Sequence, residues 1–130
     1  MKLRRVVVTG LGSLTPIGNN TSDFWANLIS GESGAARITH FDPEKFKTQF
    51  ACELKNFNPL DNIEKRELRK YDNYTIYALV AVAEAIRSSG VNLDKIDKNR
   101  AGVIWGSGIG GIKTFSDEIT NFVEGNENPR

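Results

Sequence analysis

The sequence predicts an α/β fold in which helices pack around a sheet. Twice, at residues 3–9 and 101–105, a short run rich in β-branched residues leads into a glycine loop, and a segment of helical period follows. The 130 residues hold no internal repeat, low-complexity tract or linker, so they read as a single domain, 1–130, large enough to bury a core.

The first predicted strand, residues 3–9, carries Val6, Val7 and Val8, and three consecutive valines suit an interior strand buried on both faces. A glycine loop, 10–18, follows it. Asn20, Thr21, Ser22 and Asp23 then offer N-cap chemistry for a helix carrying Phe24, Trp25, Leu28 and Ile29, with Gly31 placed to end it. Between Glu32 and Leu60 the pattern breaks at Gly34, Pro43 and Pro59, which predicts loops with one strand near residues 50–54. Residues 61–71 read as a short charged helix. A longer helix spans residues 72–89, where Ile76, Leu79, Val80, Ala83 and Ile86 recur at helical spacing before Gly90. After a polar connector, 92–100, residues 101–105 give the second interior strand. Residues 106–111 form a second glycine loop, and the last helix, 112–123, aligns Ile112, Phe115, Ile119, Phe122 and Val123.

Composition excludes several functions. Seventeen Lys and Arg against sixteen Asp and Glu leave a net charge of +1, so no whole-molecule field draws nucleic acid or an anionic membrane, and any charged partner needs a local patch. The apolar run after Arg4 and Arg5 stops at Thr9 and Gly10, too short for a signal peptide or a membrane span. A single cysteine, Cys52, permits no internal disulfide or CxxC site and suits a reducing cytosol, while a single histidine, His40, excludes a two-histidine metal centre in this chain.

Gly106, Gly108 and Gly111 match the G-x-G-x-x-G dinucleotide fingerprint between a strand and a helix. Its remaining parts are missing. The following helix runs into a turn-like stretch, 124–129, rather than a strand ending in an acid, and Lys113 falls one residue out of register for a Walker lysine. The first loop has Thr15 where a third glycine belongs, and Pro16 breaks the helix start. The residues alone leave two readings open, a ligand loop and glycines placed for tight turns or close backbone approach.

The segment 4–12, then Thr15, Pro16, Ile17, Gly18 and Asn19, then 31–34, then His40, Phe41 and Asp42, and finally 106–111 together resemble the elongating β-ketoacyl-acyl carrier protein synthases of type II. The resemblance runs over essentially the whole chain and keeps the order of every segment. It implies a thiolase-like αβαβα layered fold, of which this chain would be the larger part of the N-terminal half, in a homodimeric cytoplasmic enzyme of fatty acid synthesis without nucleic-acid or membrane partners. It also implies a decarboxylative Claisen condensation between an acyl thioester on a cysteine and malonyl-acyl carrier protein, with no metal or other cofactor. The alternatives are a dinucleotide-binding oxidoreductase fragment and a non-catalytic chain-length partner of a ketosynthase.

The family's nucleophile lies in a Thr-Ala-Cys motif at a helix start, and that motif is absent. Cys52, beside Glu53, reads as a core or strand cysteine, and His40 belongs to a turn. No catalytic residue is therefore expected in this chain, and the 130 residues alone should not condense. Ile109 matches the apolar residue that gates or lines the family's acyl pocket, with Gly108 and Gly110 giving the loop freedom to shift.

Lys65, Arg66, Arg69 and Lys70 balance Asp61, Glu64, Glu67 and Asp72 in charge. On a helix of about 100° per residue the four bases share a sector of roughly 140°, with Glu64 and Glu67 expected opposite. By residues alone this stripe also fits a solvated helix whose charges complement its dipole. The resemblance makes Arg66, Arg69 and Lys70, with Lys65 beside them, part of a docking patch for the acidic acyl carrier protein, and Arg130 part of a second cluster.

Overall fold

A computed structural model describes residues 4–125 and separates into two compact units. The first is built from the chain through Asn58 together with Val80–Asn92, and the second from Pro59–Leu79 together with the chain from Leu93. Four helices are present among the described residues: α1 (Thr21–Ser30), α2 (Lys65–Leu68), α3 (Asn73–Ser89) and α4 (Ile112–Glu124). Two-residue strands β1 (Ala36–Arg37) and β2 (Phe50–Ala51) pair antiparallel, with Ala36 opposite Ala51 and Arg37 opposite Phe50.

In the first unit α1 begins and ends as its residues dictate. The Asn20 side chain accepts from the Asp23 amide at 2.9 Å and donates to the Asp23 carboxylate at 2.7 Å, a reciprocal cap on the first turn. Gly31 ends the helix at φ 75°, where a left-handed residue lets the Glu32 amide reach back to the Asn27 carbonyl at 3.0 Å. The Thr15–Gly18 turn closes on two backbone bonds of 2.9 and 3.1 Å, and the Asn27 side-chain Nδ2 donates to the Ile17 carbonyl at 2.6 Å to hold it against α1.

The glycines of the first loop are there for close approach. A Cβ on Gly12 would collide with the Ala81 carbonyl oxygen of α3 and stand 2.7 Å from the Ala85 amide, and one on Gly10 would collide with the Ala85 carbonyl. Glu84, one turn along the same helix face, takes the Ser13 amide on one carboxylate oxygen and the Thr21 amide on the other, both at 2.8 Å. Burial alone would raise the Glu84 carboxyl; the Thr21 and Ser13 amides outweigh it and hold the group below its ordinary value.

The structure corrects several expectations. Residues 4–9 and 101–105 form no strand: nothing described pairs with them, and Val6, Val8 and Ile104 are 90%, 79% and 101% exposed. β-branched runs mark surfaces suited to burial, but a strand exists only with a neighbour to complete its ladder. The strand expected over 50–54 pairs only at Phe50 and Ala51, and the helix expected over 61–71 shrinks to α2, preceded by a 3₁₀ turn at Pro59–Asp61. A lone turn of charged residues, begun at Glu64 without a side-chain cap, supplies too little to carry a longer helix. The buried aliphatic positions of α3 are Ile76 and Ala78 in the second unit and Val80 and Ala81 in the first, whereas Leu79, Ala83 and Ile86 are exposed. Ala81 is buried where the Gly12 backbone packs against α3, a place that suits a small side chain.

Replacing Gly12 by Ala should destabilise the fold by about 1–3 kcal/mol, since the new methyl meets backbone that cannot yield, whereas Gly106→Ala, in open space, should change stability by less than about 0.5 kcal/mol in urea unfolding. Because the Glu84 carboxyl is held below the ordinary value of 4.5, its stabilisation is present above that pH and is lost as pH falls through the lower folded-state value. Thermal unfolding of the Glu84→Gln variant should accordingly show a weaker acid dependence than the parent.

Candidate functional site

The second glycine loop is built differently from the first. Ser107 and Gly110 staple it internally: the Gly110 amide donates to the Ser107 hydroxyl at 2.9 Å, and that hydroxyl donates to the Gly110 carbonyl at 3.2 Å. Gly110 sits at φ 71°, a conformation that only glycine takes without strain. Around Gly106, Gly108 and Gly110 an added Cβ would meet nothing within 4 Å, so these residues are not packed against other backbone. Between them Ile109 presents its side chain 75% exposed. A four-residue turn of this kind, free on its outer side and carrying one aliphatic tip, can shift without breaking a core.

The loop ends on α4, whose N-cap Gly111 brings no side chain to the orphan amides of the first turn. The Asp72 carboxylate fills that role from across the unit: one oxygen accepts from the Thr114 hydroxyl at 2.7 Å and from the Thr114 amide at 3.0 Å. These two donors, hydroxyl first, together with the amides of Tyr74 and Asn73, hold the Asp72 carboxyl below its ordinary value of 3.8. An anion therefore already occupies the place where a dinucleotide would set its pyrophosphate, and it is the chain's own. Lys113, in the first turn of α4, is committed to Asp117 at 2.6 Å along the helix. The G-x-G-x-x-G match is thus a turn with a capped helix, and the geometry does not support the dinucleotide reading.

Lys65, Arg66, Arg69 and Lys70 are all exposed, on α2 and the turn that follows it. Among the described residues Lys70 is the one of these four in an ion pair, with Glu67 at 2.6 Å. The expectation that Glu67 points away from the stripe is corrected: Lys70 stands beyond the end of α2, in a turn where its amide donates to the Glu67 carbonyl at 2.9 Å, and that turn brings the two side chains together in an exposed pair worth about 0–1 kcal/mol. Lys65, Arg66 and Arg69 remain as the available positive charges. Arg130 lies outside the described residues.

Cys52 is neither a core nor a strand cysteine. It is exposed and follows β2 immediately, because the pairing ends at Ala51. His40 is 71% exposed at its side chain, 3.9 Å from the Glu53 carboxylate, which in turn accepts from the Thr39 hydroxyl at 2.7 Å. The described residues contain no group of three or more side chains able to hold a metal ion, and no helix long and apolar enough to cross a membrane.

Asp72 and Glu84 are the residues that sequence reasoning missed. Asp72 was visible only as one acid in a balanced charge sum, and its partner lies 42 residues away. Glu84 did carry a signal, an acid set among Val80, Ala81, Val82, Ala83 and Ala85, where a charge has to have partners.

The 3-oxoacyl-[acyl-carrier-protein] synthase 2 of Staphylococcus aureus (strain COL) is 45% identical over 112 residues, 86% of this chain and 27% of that protein. The protein of the same description from Coxiella burnetii is 41% identical over 112 residues, again 86% of this chain and 27% of the relative. The chain thus spans about a quarter of the length of these curated relatives. Among solved structures, the ishigamide ketosynthase/chain length factor superposes with a TM-score of 0.85 at 30% identity, covering 95% of this chain and 31% of that one. A type II PKS acyl-carrier protein in complex with its ketosynthase bound to the hexaketide gives 0.70 at 28% identity, covering 91% and 31%. Residues 3–128 match the family described as Beta-ketoacyl synthase, N-terminal domain, and the chain belongs to that family.

Proposed function

We propose that these residues are the N-terminal portion of a 3-oxoacyl-[acyl-carrier-protein] synthase that elongates acyl chains by decarboxylative condensation with malonyl-acyl carrier protein. The observation that carries the reading is the 45% identity to relatives of that description, maintained over 86% of the chain. Under it, a cysteine elsewhere in the whole protein takes the acyl group as a thioester. The malonyl thioester then loses carbon dioxide, and its enolate carbon attacks the acyl carbonyl and releases the cysteine. Cys52 and His40 take no part in this chemistry, and the 130 residues by themselves should neither transfer an acyl group nor decarboxylate malonyl thioesters.

On this reading residues 1–130 contribute to a thiolase-like αβαβα domain of a cytoplasmic homodimer, and the exposed faces of residues 4–9 and 101–105 become interior strands once the sheet has its other members. Ile109 lines the acyl pocket as a gate, with Gly108 and Gly110 as its hinges. The open space around those glycines and the exposed isoleucine support the assignment. Arg66 and Arg69, with Lys65 and Lys70 beside them, form the docking patch for acyl carrier protein, and Arg130 belongs to a second basic cluster. Three exposed charges, outside any ion pair among the described residues and grouped on α2 and its C-cap, suit steering of an acidic partner more than they suit stability.

A second reading, a chain-length partner without the nucleophile, is favoured by the similarity to a ketosynthase/chain length factor structure. The two diverge at one residue of the whole protein: a cysteine in the Thr-Ala-Cys context makes it the synthase, and a substitution there makes it the partner.

In the whole enzyme, Ile109→Phe should lower kcat/KM for long acyl substrates at least tenfold more than for short ones; equal losses at every length would remove the gate. Reversing charge at Arg66 and Arg69 should weaken binding of acyl carrier protein several-fold at low salt, with the difference shrinking as ionic strength rises. Unchanged affinity measured by titration calorimetry would remove the docking patch.

A further inference from the structure

The loop that carries Ile109 needs a fixed point if its movement is to be read as selectivity, and the structure supplies one. Within the loop the bonds between Ser107 and Gly110 shape the turn without attaching it to anything else. Gly106 and Gly108 are in open space. The attachment comes at the other end, where Thr114 donates twice to the Asp72 carboxylate. Asp72 is itself held by backbone, since its carbonyl accepts the Thr75 and Ile76 amides at 3.0 and 3.1 Å and so starts α3. Gly111 lies directly under the side chain: a Cβ there would stand 3.3 Å from the Asp72 carboxylate oxygen and 3.5 Å from its Cβ. The loop is thus hinged on the glycine side and clamped on the helix side.

We propose that Asp72 is a positioning residue for the 106–111 loop: its carboxylate pins the first turn of α4 and thereby sets the resting place of Ile109. Asp72 touches no substrate. It acts through Thr114 and Gly111, and the consequence is a preference among acyl chain lengths. This rests on the reading of Ile109 as an acyl gate.

With the clamp removed, Ile109 loses its defined position and discriminates less against chains that must displace it. A helix cap of this type is worth roughly fivefold in an equilibrium, which sets the size of the effect. The experiment uses the whole protein with Asp72→Ala, Thr114→Val and Thr114→Ser. Two measurements are made on each variant, kcat/KM for a short and a long saturated acyl-carrier-protein thioester and amide hydrogen exchange of residues 106–111. Asp72→Ala and Thr114→Val should raise the long-to-short ratio about fivefold and speed exchange in the loop, and Thr114→Ser, which restores the hydroxyl, should return both toward the parent.

A lowered thermal midpoint with an unchanged ratio and unchanged loop exchange would reduce Asp72 to a stabilising cap and overturn the proposal, as would Thr114→Ser behaving like Thr114→Val. Should Asp72→Ala fail to fold, the threonine pair decides alone. If the parent enzyme has no condensing activity, the reading of function fails separately, and loop exchange that does not respond to Thr114→Val then overturns the positioning role by itself.

Discussion

Carboxylates closing on backbone N–H groups organise both glycine loops of this chain. In the first unit Glu84 takes the amides of Ser13 and Thr21, which fixes the loop before α1 and the start of α1 in one interaction. In the second, Asp72 takes Thr114 and so fixes the start of α4. Charge-assisted bonds of this kind are about twice as strong as neutral ones, and each satisfies donors that a helix end or a tight loop leaves orphaned. Remove either acid and the glycines around it lose the reference that makes their freedom useful.

The two loops share a composition and differ in what their glycines do. Gly10 and Gly12 exist because α3 backbone passes too close for any Cβ. At Gly106, Gly108 and Gly110 an added Cβ would meet open space, and Gly110 needs a positive φ. A motif search treats them alike, but packing separates a rigid spacer from a hinge. The same comparison separates an anion-binding loop from this one, because the first turn of α4 carries its own carboxylate.

Local chemistry in the sequence was sufficient for α1, α3 and α4, with Asn20 as cap and Gly31 and Gly90 as stops, since caps, stops and helical period act within one or two turns. It was insufficient for the strands. Val6, Val7 and Val8, or Val103 and Ile104, announce a buried surface but cannot provide the neighbouring strand that defines one. The periodicity of α3 holds for Ile76 and Val80, which are buried, and fails for Leu79, Ala83 and Ile86; Ala81 is buried instead, where the Gly12 backbone passes close to the helix. For the site, Ile109 and the bases at 65, 66 and 69 are exposed, and exposure by itself assigns them no role. Asp72 and Glu84 were not legible as anchors, because their partners are fixed only by tertiary structure.

The anchoring of the first unit also sets an order of events for the nascent chain. Ser13 and Thr21 are separated from Glu84 by 71 and 63 residues, with Pro59–Leu79, which belongs to the other unit, in between. On a translating ribosome the amino-terminal loop therefore emerges long before the acid that will hold it, and closing so long a loop is entropically slow. Until α3 has cleared the exit tunnel the Ser13 and Thr21 amides have no carboxylate to close on, so the loop before α1 stays open while the chain grows.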